Sequence, residues 1–233
     1  MCGAAGAPGM FAGASSAGEN LVPAVSALDH LLLGAGDLDR GIDWVEKAIG
    51  VRAVVGGSHP GVGTRNALLS LGGRRYLEIL APDPAQKTYN FPIDVRPLTE
   101  PRLITWAAGT KRINAVAKKA RASGYETFGP REGSRTRPDG RLLGWRTLGI
   151  LNELGLQGVE PVPFFIEWAA GSPHPSQDSP KGCELETLEI HHPNPAGVTE
   201  TLGKLGLEVS VKQAELAGLH ALLRTPRGKR ILS

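Results

Sequence analysis

Three polar side chains interrupt stretches that are otherwise apolar. His30 sits within residues 28–33, Glu78 within residues 75–80, and Glu167 breaks the run Phe164-Phe165-Ile166-Glu167-Trp168. Such an interruption is costly in a buried strand unless the group is paired or bound to a metal. Strand alternation puts Leu28, His30 and Leu32 on one face, and Tyr76, Glu78 and Leu80 on one face of another strand. One imidazole and two carboxylates make a set compatible with a divalent ion that keeps positions open for substrate. Each residue taken alone also reads as a hydrogen-bonded polar group at a sheet edge, and that alternative stays open.

The other candidates are weaker. His191 and His192 are strand neighbours, so they point to opposite faces and read as a strand end running into Pro193. His59-Pro60-Gly61 reads as a surface turn and His174, between two prolines, as a linker residue. Arg131, Arg135, Arg137 and Arg141 share one Gly/Pro-rich stretch, either a solvated loop or a lid whose guanidinium groups clamp a carboxylate or phosphate. There is no phosphate-loop signature, Gly-x-Ser-x-Gly elbow or His-Glu-x-x-His, which removes the usual warrants for nucleotide hydrolysis, α/β-type serine hydrolysis and zinc protease chemistry.

The elements that must position these groups recur. Residues 28–33 form a strand, Leu38, Ile42, Val45 and Ile49 fall at helical spacing between the N-cap Asp37 and the glycine stop Gly50, and strands follow near 51–55, 67–71 and 75–80. The pattern returns with a strand at 103–108, a helix capped by Thr110 and carrying Ile113, Val116, Ala117 and Ala120, then strands near 142–148 and 164–168. It returns again with a strand at 185–191, a helix from Asn194-Pro195 to Gly206, and strands near 208–212, 219–224 and 229–232. The expected fold is therefore α+β: repeated βαβββ modules whose curved, mixed sheets pair around an open, barrel-like cleft. The modules are expected at 27–100, 101–180 and 181–233, behind a flexible leader at 1–26 that is rich in Gly, Ala and Ser with Glu19 as its only charge.

Composition narrows the classes. The chain of 233 residues has 41% hydrophobic and 21% charged residues and a formal net charge of +3. That length supports a sizeable core, no stretch is apolar enough for a spanning helix, and the scattered charge gives no basic face for nucleic acid. Cys2 and Cys183 make no disulfide framework, and the leader lacks the basic start and apolar run of a signal peptide, so the cytoplasm is the expected compartment. The expected partner is a small molecule, with neither nucleic acid nor membrane involved, and a homodimer stays open.

The ordered string Leu28-Asp29-His30 with its helix, Gly63-Thr64-Arg65-Asn66, Tyr76-Leu77-Glu78, Arg137-Pro138-Asp139-Gly140 leading to Trp145-Arg146, and Pro163-Phe164-Phe165-Ile166-Glu167-Trp168 resembles the glyoxalase-like domain proteins of the vicinal oxygen chelate superfamily. The resemblance implies paired βαβββ modules around a divalent metal, Zn, Mn, Ni or Fe, that chelates vicinal oxygens of a substrate. One departure stands out: the first strand of the second module, Leu103-Ile104-Thr105-Trp106-Ala107, offers no fourth ligand. That argues against the lactoylglutathione lyase reaction and against an iron dioxygenase.

Two functions follow as expectations. In the first, an enzyme with lyase- or isomerase-type chemistry acts on a small oxygenated metabolite: His30, Glu78 and Glu167 hold the metal, Glu78 and Glu167 serve catalysis, and Asn66, Arg137, Trp106 and Trp145 contact substrate. In the second, a metal-free binding module holds a ligand between Trp106, Trp145 and Trp168.

Overall fold

The computed structural model describes residues 20–136 and 140–233. Two short elements come first, β1 (Val22–Pro23) and α1 (Ala24–Ala27). The first module follows as β2 (Leu28–Gly34), α2 (Leu38–Ile49), β3 (Val54–His59), β4 (Thr64–Ser70) and β5 (Tyr76–Pro82). The second is β6 (Arg102–Gly109), α3 (Ile113–Ala122), β7 (Thr127–Thr136), β8 (Leu142–Ile150) and β9 (Phe164–Trp168). The remainder comprises β10 (Glu184–His192), α4 (Pro195–Leu205), β11 (Leu207–Glu208), β12 (Ser210–Gln213), β13 (Gly218–Thr225) and β14 (Gly228–Leu232).

The helices begin and end on chemistry written in the chain. Asp37 accepts a hydrogen bond from the Arg40 N–H, and Gly50 closes α2 in the left-handed region at φ 79°. Asn194 accepts from the Gly197 N–H, and Gly206 closes α4 at φ 85°. α3 differs from expectation: Thr110 accepts from the Arg112 N–H, and Arg112 occupies the N-cap without a side-chain bond.

The first two modules join into one strongly curled, eight-stranded half-barrel, in the order β3-β4-β5-β2-β6-β9-β8-β7. In each, the first strand runs parallel to the fourth, β2 with β5 and β6 with β9, and the antiparallel β2–β6 pair is the seam. Leu31, Leu33, Leu77 and Ile79 face α2, where Leu38, Ile42, Val45 and Ile49 complete the core. Of the Arg-rich stretch read as a solvated loop or a lid, Arg131 and Arg135 lie on strand β7, tied to β8 by a backbone ladder, so weak strand propensity is overridden there by pairing.

The third unit also runs strand, helix, strands, but it adds the two-residue β11, which pairs with β1, and is wired differently. Its sheet order is β12-β10-β13-β14, with β10 parallel to β12 and antiparallel to β13, so the first strand lies inside the sheet. The leader read over 1–26 also needs correcting at its end: Ala24 is buried and Val22–Pro23 pair with Leu207–Glu208, while residues 1–19 lie outside the described residues.

Two connections cover the concave face. The segment between β5 and β6 lays Tyr89, Phe91, Ile93 and Leu98 against Leu32, Leu80, Val95 and Ile104. Its close approach requires Gly63, at φ 83°, because a Cβ there would run into the Thr88 carbonyl oxygen. The strap between β9 and β10 is fastened to the first module, with Ser70 N–H donating to the Pro180 carbonyl at 2.8 Å and Leu185 N–H to the Leu71 carbonyl at 3.0 Å.

Candidate active site

A β-bulge builds the centre of the site. Leu28 pairs with Ala108 and His30 with Ala107, which leaves Asp29 as the extra residue. Leu28 therefore turns to the helix-side core rather than sharing a face with His30. Asp29 and His30 bond to each other instead of facing apart, with His30 Nδ1 2.8 Å from Asp29 Oδ1. The second carboxylate oxygen of Asp29 accepts from Trp168 Nε1 at 3.0 Å and lies 3.1 Å from His174 Nε2.

The other side of His30 meets Glu78, with Nε2 3.5 Å from Oε2. Asn66 donates from Nδ2 to Glu78 Oε1 at 2.7 Å and lies 3.2 Å from His59 Nε2, while His59 Nδ1 lies 2.8 Å from Thr64 Oγ1. His30 is stacked on Tyr76, ring centroids 4.5 Å apart, and meets the edge of Phe164. His30 is only 3% and Glu78 7% exposed, so the pair is buried in the interior. Arg135, buried on β7, reaches across to β3 and donates to the Gly56 carbonyl, closing the two edges of the half-barrel.

Electrostatics follow from this burial. Burial pushes the Asp29 carboxyl up, but the hydrogen bonds with His174 and His30 outweigh it and hold the group well below the usual carboxylate range. Burial pushes the His59 imidazole below its ordinary value, against the pull of Glu78 and with Arg135 adding to the shift. It also pushes the Tyr76 phenol well above its ordinary value, and the nearby Asp29 and Glu78 charges act in the same direction.

The sequence-predicted residues divide. His30, Glu78 and Asn66 come together. Trp145 lines an open cleft with Trp168, ring centroids 5.7 Å apart, next to Asp29. Trp106 does not reach the cleft. A second bulge leaves Ile104 unpaired between Leu103 and Thr105, so Trp106 faces the helix-side core, fully buried, donating to the Pro161 carbonyl at 2.9 Å. Glu167 does not join His30 and Glu78 either: it pairs with Arg146, which reaches toward Asn114 of α3, on the face that carries Phe165 and Leu148. Arg137 lies outside the described residues.

Members of the superfamily often use a divalent metal, but the donor set here does not fit the expected one. Glu167 is on the wrong face, paired with Arg146, so His30 Nε2 and Glu78 Oε2 lack the third donor expected beside them. Among the described residues no three His, Cys, Asp or Glu side chains are arranged to hold an ion.

Asp29, His59, His174 and Arg135 were missed or discounted. Asp29 gave no signal, because regular alternation sends it away from His30. His174 did carry one: its flanking prolines, Pro173 and Pro175, suit a stiff segment that can hold an imidazole in place.

The profile of the glyoxalase-like domain family matches residues 28–206. A hypothetical protein from Staphylococcus aureus of known crystal structure is 19% identical, with a TM-score of 0.66 over 86% of this chain and 92% of that one. Methylmalonyl-CoA epimerase from Mycobacterium tuberculosis is 20% identical, with a TM-score of 0.42 over 63% of this chain and 89% of that one. At these identities only the first likeness speaks, and it speaks to the fold alone. No curated protein matches the chain. With its two fused βαβββ modules and a family match over most of its length, the chain belongs to the glyoxalase-like domain family of the vicinal oxygen chelate superfamily.

Proposed function

We propose that the chain is an enzyme that moves a proton at a carbon next to a carbonyl group of a small oxygenated metabolite, isomerase- or lyase-type chemistry, with His30 and Glu78 as its acid–base pair. One observation carries this reading: His30 Nε2 faces Glu78 Oε2 at 3.5 Å between the Tyr76 and Phe164 rings. One member takes the proton from carbon, leaving an enediolate, and the other returns a proton to the neighbouring atom. Asn66 fixes the Glu78 carboxylate, and the buried Arg135 guanidinium supplies positive charge to the developing oxyanion. The rest of the substrate lies along Trp145 and Trp168 in the open cleft of about 1150 Å³. Arg137 is kept as a proposed substrate contact on the strength of its motif.

The Trp145–Trp168 wall also favours a second reading, a binding module that holds a ligand without converting it. Incubation in D2O with small 2-oxo and 2-hydroxy carbonyl compounds, followed by proton NMR, separates the two. The enzyme reading expects exchange at the carbon next to the carbonyl and a loss of about a hundredfold or more in Glu78→Gln. Ligand binding without exchange, equal in Glu78→Gln, supports the binding module instead.

A further inference from the structure

We propose that the strap joining the second module to the third belongs to the catalytic apparatus: His174, acting through Asp29, is a positioning residue that fixes which nitrogen of His30 carries the proton. Its catalytic meaning rests on the acid–base reading above; its geometry does not.

The chain of donors can be read from one end. His174 is fully buried between Tyr76 and Trp168, ring centroids 5.5 and 5.3 Å away. The backbone N–H of Ser176, which can only donate, points at His174 Nδ1 from 3.3 Å, and Ser176 Oγ lies 2.8 Å from the same atom. His174 Nδ1 is therefore the acceptor and Nε2 carries the hydrogen. That hydrogen goes to Asp29 Oδ2 at 3.1 Å, where the indole N–H of Trp168, also a donor only, arrives at 3.0 Å. Two donors on Oδ2 hold Asp29 as a carboxylate, so Oδ1 accepts from His30 Nδ1–H at 2.8 Å. Held through Nδ1 in this way, His30 presents its other nitrogen, Nε2, to Glu78.

Removing the His174 donor undoes this logic. Asp29 is 6% exposed, and a buried carboxyl with fewer donors favours its neutral form. Its own O–H then donates to His30 Nδ1, the hydrogen moves to Nε2, and the base facing Glu78 is lost. The strap is held against that, since Ser179 Oγ donates to the Pro175 carbonyl at 2.7 Å, its start is bonded to the second module through Ala169 N–H and the Gly144 carbonyl, and its end to the first through Ser70 N–H and the Pro180 carbonyl.

Nitrogen-15 NMR of the full chain, labelled in histidine, tests the clamp without any substrate. The unmutated protein should show His30 in the Nδ1–H form. His174→Leu should shift His30 toward the Nε2–H form and, with a substrate found by deuterium exchange, lower kcat about a hundredfold while KM holds. His174→Gln, whose amide N–H can replace the lost donor, should restore the Nδ1–H form and most of the rate. His30 in the same form in His174→Leu as in the unmutated protein overturns the proposal. Should His174→Leu fail to fold, Asp29→Asn serves: its oxygen takes the Trp168 and His174 donors, its amide N–H faces His30, and the Nε2–H form should result. An unchanged His30 spectrum there overturns the proposal equally. A tautomer response with no turnover of any compound refutes the acid–base reading and leaves the clamp standing.

Discussion

Trp106→Phe separates a structural tryptophan from a substrate-contacting one. The indole is fully buried and its N–H is bonded to the Pro161 carbonyl at 2.9 Å. Phenylalanine keeps the aromatic packing but leaves that carbonyl without its donor, a loss of about 1–3 kcal/mol. The smaller ring also leaves a void of roughly 40 Å³, which at about 24 cal/mol per Å³ adds about 1 kcal/mol. The sum, about 2–4 kcal/mol, corresponds to a Tm lower by roughly 4–16 °C for a chain of this size. Urea unfolding followed by fluorescence, beside a thermal melt, measures it directly. Ligand binding per folded molecule should be unchanged. A variant of unaltered stability whose ligand affinity falls would refute the placement of Trp106 in the helix-side core.

Glu167→Gln should cost no more than about 1 kcal/mol, because its partner Arg146 is partly exposed, and its melt should respond to chelator no differently from that of the unmutated protein. Metal analysis of protein prepared without chelator should find less than about a tenth of an equivalent of Zn, Mn, Ni or Fe, since among the described residues no third His, Cys, Asp or Glu donor is arranged with His30 and Glu78 to hold an ion. Burial lowers the His59 and His220 imidazoles in the fold, so the unfolded chain binds more protons just below their ordinary value of 6.5. Their contribution is complete above that value and fades as pH falls, so Tm should drop between pH 7 and 5; a flat or rising Tm contradicts this. A chain starting at Leu28 should melt several degrees below one starting at Asn20, because it loses the β1–β11 pair and buried Ala24.

Much of the fold was legible because it is local. Asp37, Gly50, Asn194 and Gly206 mark helix ends through their own side chains or backbone freedom, and each does so in the structure. The facing of Tyr76, Glu78 and Leu80 was legible for the same reason, since β5 pairs with β4 without a shift in register. What failed depends on partners far away in the chain. The bulges at Asp29 and Ile104 exist only in the pairing of β2 with β6, and each reverses the alternation on one side of it. Glu167 was misplaced because β9 carries large apolar residues on both faces, and nothing local says which face is concave. The wiring of the third unit likewise depends on β12 finding β10.

The seam between the modules has a consequence for chains that are cut short. β2 has no free edge, because β5 lies on one side and β6 on the other, and all seven of its residues are buried. A fragment ending before Arg102 lacks β6 and displays a long, apolar, unpaired strand edge. Such an edge is a template for pairing with another chain. The fragment should therefore dimerise or aggregate through β2, and a peptide carrying the β6 sequence should compete for the same edge. In the whole protein the chain is its own partner there, and the joint that unites the two modules also shields the first from self-association.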